Sequence, residues 1–189
     1  MWIALGIVVV LVALGGAIAT RPDTFRVERS ATIAAPANVV FGYLNDFHNW
    51  ALWSPWEKLD PAMKRTFSGA PAGVGSVYTW SGNSKAGEGS MAITESTPDD
   101  RIALDLDFVR PFKSHNMTEF TLKPTAGGVN LRWGMSGVNT VAGKAMSLVT
   151  SMDKLVGKDF ERGLANLKTL SEGEAESRGA GVPTTNSIA

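Results

Sequence analysis

Side chains that do chemistry are thinly spread in this 189-residue chain. Cysteine is absent and only two histidines occur, His48 and His115. That excludes thiolate nucleophiles, thiolate metal sites and disulfide frameworks, and it leaves the imidazoles too far apart for an HExxH pair on one helical turn. Gly134-Met135-Ser136-Gly137-Val138 begins like a nucleophile elbow, but it lacks the final glycine and no helix follows it at once. Gly73-Val74-Gly75 and Gly87-Glu88-Gly89 sit between strand-like runs, without the helix N-terminus that a phosphate-binding loop needs behind its glycines. No catalytic constellation, metal site or cofactor is therefore expected. Basic and acidic residues balance at 18 each, so there is no cationic field for nucleic acid either.

Three features carry more information. Asp153 falls at the edge of the apolar arc of a long helical pattern. A carboxylate there must be hydrated, paired with an arginine or protonated, since an isolated buried charge is very costly; it is a candidate to hold a ligand hydroxyl or to act as an acid. Arg110 lies two residues beyond Phe108 and shares its strand face if alternation persists. It would then meet a ligand carboxylate or phosphate, the alternative being a solvated strand end. His115 has the parity opposite to Phe120 and is not expected to act as a base. In Trp53-Ser54-Pro55-Trp56 the proline restricts a loop presenting two amphipathic rings, suited to a pocket rim, a membrane-facing lip or a plug of the core. Together with Trp53 and Trp56, Tyr78, Trp80, Phe108, Phe120, Trp133 and Phe160 bring more aromatic mass than a sheet-on-helix contact needs. Each is either core or cavity lining.

The elements that would position these residues follow from periodicity. Phe25, Val27, Arg29, Ala31 and Ile33 alternate as a strand. Pro36 opens a helix burying Val40, Phe41, Leu44 and Phe47, and a short helical turn follows to Trp50. Six further strands are expected over Lys64–Gly69, Ser76–Ser81, Ser90–Ser96, Ile102–Phe108, Asn116–Lys123 and Val129–Ser136. Their one-sided alternation makes an antiparallel sheet whose apolar face needs a cover. A helix over Gly143–Leu170, ~42 Å long, supplies it. Its buried face is Val149, Met152, Val156, Phe160, Leu164 and Leu167, with Gly157 and Gly163 at the margins, where missing side chains would leave room.

At the N-terminus, Trp2–Thr20 has no ionisable side chain and would span ~28 Å as a helix. Residues 1–21 are read as a single-pass membrane anchor; a cleaved signal peptide is the alternative, with Ala17-Ile18-Ala19 as the cleavage site. Arg21, Arg26 and Arg29 follow the apolar run, which places the remaining chain in the cytoplasm under the positive-inside rule. Residues 172–189, rich in Ser, Glu, Gly and Thr, are expected to be a disordered tail.

Ile33-Ala34-Ala35-Pro36 leading to Val40-Phe41, then Trp53-Ser54-Pro55-Trp56, Gly73-Val74-Gly75-Ser76 and Gly157-Lys158-Asp159-Phe160, resemble the polyketide cyclase/dehydrase and lipid transport branch of the START-like (SRPBCC) superfamily over residues 25–171. The resemblance implies an α+β helix-grip fold: a curved antiparallel sheet of about seven strands gripping the long C-terminal helix, with a cavity between them for an apolar or amphipathic small molecule. The candidate ligand-binding set is Trp53, Trp56, Tyr78, Trp80, Phe108, Arg110, Phe120, Trp133, Asp153 and Phe160. A membrane-anchored domain that binds or hands over a hydrophobic small molecule or lipid is the expected function. The alternative is a polyketide cyclase or dehydrase-type enzyme using the same cavity.

Overall fold

The computed structural model describes residues 2–180. The elements run α1 (Trp2–Ala19), β1 (Thr24–Ile33), α2 (Ala37–Asn45), α3 (Trp50–Trp53), β2 (Lys64–Gly69), β3 (Ser76–Ser81), β4 (Glu88–Thr97), β5 (Arg101–Arg110), β6 (Ser114–Thr125), β7 (Gly128–Val138), α4 (Val141–Met146) and α5 (Met152–Ala180), with 3₁₀ turns at Phe47–Asn49 and Pro55–Lys58. The strands form one fully antiparallel sheet in the order β1-β7-β6-β5-β4-β3-β2. Irregularities in the β4–β5 register, between Glu88 and Gly89 and between Ile93 and Glu95, bend the strands there, as bulges do.

Alternation decides which face is buried. Ile102 and Leu104 on β5, Phe120 and Leu122 on β6, and Val129 and Leu131 on β7 are all fully buried, while their sequence neighbours point away. Helix α5 covers this face with Phe160, Leu164 and Leu167. Three polar ties fix its position: Lys168 Nζ donates to the Thr32 carbonyl at 2.8 Å, Asn166 Nδ2 to the Trp53 carbonyl at 2.9 Å, and the Tyr43 hydroxyl to Glu174 at 2.6 Å.

The expected single helix over Gly143–Leu170 is divided. Two hydroxyl caps explain why: Thr140 Oγ1 accepts the Gly143 N–H at 3.1 Å and starts α4, and Ser151 Oγ accepts the Lys154 N–H at 3.2 Å and starts α5, each satisfying a donor that a helix start leaves free. Val149, expected on the buried face, lies between the two helices and is 89% exposed. At the other end α5 continues to Ala180, so residues 172–180 are helical rather than disordered. Glu172 accepts both the Ala34 N–H at 2.7 Å and Lys168 Nζ at 2.6 Å, and Glu174 pairs with Arg178 one turn on. Residues 181–189 of the expected tail lie outside the described residues.

The helix glycines also differ from expectation. A Cβ on Gly163 would stand 2.8 Å from Trp133 Cζ3 and 3.2 Å from Pro55 Cδ, and one on Gly157 would stand 2.3 Å from Arg29 Nη2. Both permit close approach and leave no room. At the N-terminus, α1 is exposed from Leu5 to Leu14. Among the described residues no helix is long and apolar enough to cross a membrane; the 18 residues of α1 reach ~27 Å against a hydrocarbon core of ~30 Å.

Candidate functional site

The space between sheet and helix is solid at one end and hollow at the other. Near α2 and α3, Phe47, Trp50, Trp53 and Phe120 interlock in tilted and edge-to-face contacts between 4.9 and 6.2 Å. Toward the opposite end Leu106 and Phe108 on β5 and Met152 and Val156 on α5 are only partly buried, and a cavity of ≈ 400 Å³ opens, within the range of small-molecule sites. The sheet contributes Tyr78, Trp80, Met91, Leu106, Phe108 and Met135 to its wall. Trp56 and Leu59 enter from the loop after α3, and Met152, Val156 and Phe160 from α5. Gly89 helps to shape this wall: a Cβ there would stand 2.6 Å from the Trp80 ring.

Six of the ten residues expected at the site meet on this wall: Trp56, Tyr78, Trp80, Phe108, Trp133 and Phe160. Trp133 stacks on Phe160 at 4.1 Å and 11°, with Trp56 set edge-on to both. Its indole Nε1 is buried without a hydrogen-bond partner among the described residues. Trp53 and Phe120 are instead core, 1% and 0% exposed, behind the cavity. Arg110 faces away. Phe108 pairs with Gly89 but Arg110 with Glu88, so the irregularity breaks the assumed alternation, and the guanidinium donates to Glu88 at 2.9 Å.

Asp153 also lies outside the cavity. Arg29 on β1 grips it in bidentate fashion, Nη1 to Oδ1 at 2.7 Å and Nη2 to Oδ2 at 3.1 Å, while Arg29 Nε donates to Glu161 at 2.8 Å. These bonds hold the Asp153 carboxyl below its usual range, the opposite of a raised-pKa acid. His115 projects from the outer face and pairs with Asp107 at 2.8 Å, which raises its pKa.

Glu57 was not anticipated. The 3₁₀ turn Pro55–Lys58 carries it inward directly after Trp56, and its side chain is only 8% exposed on the cavity wall. Arg65 Nε donates to Oε2 at 2.6 Å and the Tyr78 hydroxyl to Oε1 at 2.6 Å. Burial, then the bond to Glu57, push the Tyr78 phenol well above its usual value, so its proton is retained. Asn116 and Thr118, both buried and both on the wall, were also missed, although they share the parity of Phe120.

The mouth is framed by apolar side chains in contact with solvent. Phe112, Val138 and Met146 line it and are 69%, 66% and 43% exposed. Val141 at the start of α4 and Val149 just after its end are still more exposed. Lys85 and Lys113 add positive charge. Lys144 on α4 pairs with Asp23, close to where α1 joins the sheet, and the pair depresses the Asp23 carboxyl. Among the described residues no group of three His, Cys, Asp or Glu side chains is placed to hold a metal ion.

Residues 24–172 match the family described as "Polyketide cyclase / dehydrase and lipid transport". Among solved structures, a Chromobacterium violaceum protein superposes with a TM-score of 0.55 at 19% identity, covering 80% of this chain and 99% of its own. The Aha1 dimer of Colwellia psychrerythraea gives 0.56 at 14%, covering 78% and 96%. StfQ, a di-domain ARO/CYC of the steffimycin biosynthetic pathway, gives 0.58 at 12%, covering 81% of this chain and 52% of that one. Comparison with curated proteins returned no match. At these identities the likenesses establish the fold.

Proposed function

The chain belongs to the polyketide cyclase/dehydrase and lipid transport family, and from that premise we propose that it is a membrane-held carrier that takes up a hydrophobic small molecule or lipid between its sheet and α5. The cavity carries this reading. It is largely apolar, it is bounded by rings and thioethers that suit an apolar guest, and exposed apolar side chains line its mouth beside Lys85 and Lys113.

Membrane association is part of the same proposal. The α1 helix carries no ionisable residue and ends at Ala19, two residues before Arg21, so its apolar surface can insert among the lipids without spanning them while Arg21 stays at the headgroups. Phe112, Val138 and Met146, with Lys113, line the mouth. They form the kind of apolar surface flanked by lysine that settles into an interface bearing anionic lipids. Lipid would then enter without crossing water. Arg21 and Arg26 after α1 support a cytoplasmic position for the domain.

The test is to purify the full chain in mild detergent and weigh the intact protein by native mass spectrometry. A stoichiometric lipid or other apolar adduct is expected. A domain that is empty and takes up no apolar probe would end the carrier proposal. The cyclase-type reading draws on the hydrogen-bonded Tyr78 hydroxyl and Glu57 carboxylate on the wall; it requires turnover of a poly-β-keto substrate, which a carrier would bind unchanged.

A further inference from the structure

The wall of the cavity is not uniformly apolar, and its main polar point is asymmetric in hydrogen-bonding sense. At Glu57 the protein's own protons are already committed. The Tyr78 hydroxyl donates to Glu57 Oε1; Arg65 donates from Nε to Glu57 Oε2, from Nη2 to the Glu57 carbonyl at 2.9 Å, and from Nη1 to the Met63 carbonyl at 3.2 Å. An ionised carboxylate offers about four acceptor positions, and two are filled by these side chains. Acceptor capacity therefore remains on Glu57, with more on the Tyr78 oxygen.

Both residues line the cavity, and both are nearly removed from solvent. The charge of Glu57 is matched by Arg65, so the point has no surplus charge for a cation. Lys85 and Lys113 at the mouth further disfavour a cationic guest. An acceptor-rich, charge-balanced point in an apolar wall is completed by a neutral donor.

We infer that the Glu57–Tyr78 pair is a hydroxyl-binding subsite, and that the cavity selects an apolar molecule bearing a free hydroxyl over the same molecule with that hydroxyl capped. This rests on the carrier reading and adds the polarity of the guest. A tight fit of the apolar body supplies affinity, while the hydroxyl fixes which end points inward. A hydroxyl-to-ether change leaves the acceptors facing an oxygen that cannot donate, the kind of mismatch that discriminates most strongly in a dry site. The same chemistry is offered by a long-chain alcohol and by a phenol, so the two are distinguished by probe.

The experiment uses the full chain in detergent with two equimolar pairs: dodecanol with dodecyl methyl ether, and naphthol with methoxynaphthalene. Native mass spectrometry reads the occupancy ratio within each pair for the wild type, Y78F and E57Q. Partition into detergent is common to all three proteins, so it cancels when their ratios are compared. The expected result is a ratio favouring the hydroxyl compound in the wild type, about tenfold higher than in either variant. The pair that shows it identifies an aliphatic or a phenolic guest. Ratios equal in wild type and variants for both pairs overturn the subsite while leaving the carrier intact, as does a wild-type preference that survives in both variants. Absence of all four probes from the wild type removes the carrier reading and the subsite with it. Near-ultraviolet circular dichroism establishes that each variant is folded; should Y78F fail to fold, E57Q decides the result.

Discussion

Gly163→Ala and Gly173→Ala make the same chemical change in one helix and are expected to move stability in opposite directions. In a helix interior, replacing glycine by alanine gains ~0.5–1 kcal/mol from backbone entropy and propensity. At Gly173 a new Cβ meets nothing within 4 Å, so G173A should show that gain alone. At Gly163 the methyl lands 2.8 Å from Trp133 Cζ3 and 3.2 Å from Pro55 Cδ. The Trp133 ring must retreat by roughly 0.6 Å to restore ordinary contact, yet it is stacked on Phe160 at 4.1 Å and flanked by Trp53 and Trp56. Forcing a close-packed ring off its position costs about 1–3 kcal/mol. The propensity gain cancels between the two variants, so their difference isolates the steric term. For a domain of this size that is a gap of about 6 °C in melting midpoint, with G163A the lower. Thermal melts of the full chain in detergent, followed by near-ultraviolet circular dichroism, measure it. G163A melting at or above G173A would show that the helix does not approach the sheet as closely as described.

Four further outcomes are expected. Met91→Trp fills the cavity from the sheet side, costing under about 1 kcal/mol because the space exists while abolishing uptake of dodecanol in native mass spectra; retained uptake would place the guest elsewhere. Arg29→Ala should return the Asp153 carboxyl to the ordinary aspartate range in an NMR titration. Since Arg29 depresses that pKa, the pair's stabilisation is present above the unfolded aspartate value and is lost as pH falls through the folded one. His115 has the opposite sign: its folded pKa is raised by Asp107, so its contribution is complete below the unfolded histidine value and fades as pH rises through the folded one. Asp107→Asn should move the imidazole titration down. Finally, the chain has no cysteine, so Phe112→Cys, on the exposed lining of the mouth, carries a single environment-sensitive dye; its emission should shift to the blue with anionic vesicles, and emission unchanged while the protein is vesicle-bound would exclude the mouth from the interface.

Strand alternation made most of the sheet legible in advance, because a face that is buried must repeat every second residue. It put Tyr78, Trp80, Phe108 and Trp133 on the inner face, where all four line the cavity, and it could not tell wall from core: Phe120 and Trp133 are cross-strand partners on one face, yet only Trp133 lines the cavity. Of the two readings of Arg110 the structure shows the solvated strand end, because one register irregularity resets parity, and no local signal in Phe108-Val109-Arg110 announces it. The Asp153 partner, Arg29, lies 124 residues away, beyond any periodic argument. Glu57 was adjacent to a motif that had drawn notice, but a 3₁₀ turn has neither helical nor strand period, so its inward aim was invisible.

The pairing of β1 with β7 fixes a timetable as well as a shape. Thr24 stands opposite Val138, and Ile33 opposite Val129; among the described residues β1 pairs with no other strand. During synthesis at ~5–20 residues per second, that first strand waits on the order of ten seconds for its neighbour to be made. The waiting segment adjoins α1, the most apolar piece of the chain. On the membrane-held reading proposed above, a nascent chain whose α1 had met a bilayer would keep β1 tethered there until β7 and α5 arrived, so that the sheet would close and the pocket form next to the surface from which it would be filled.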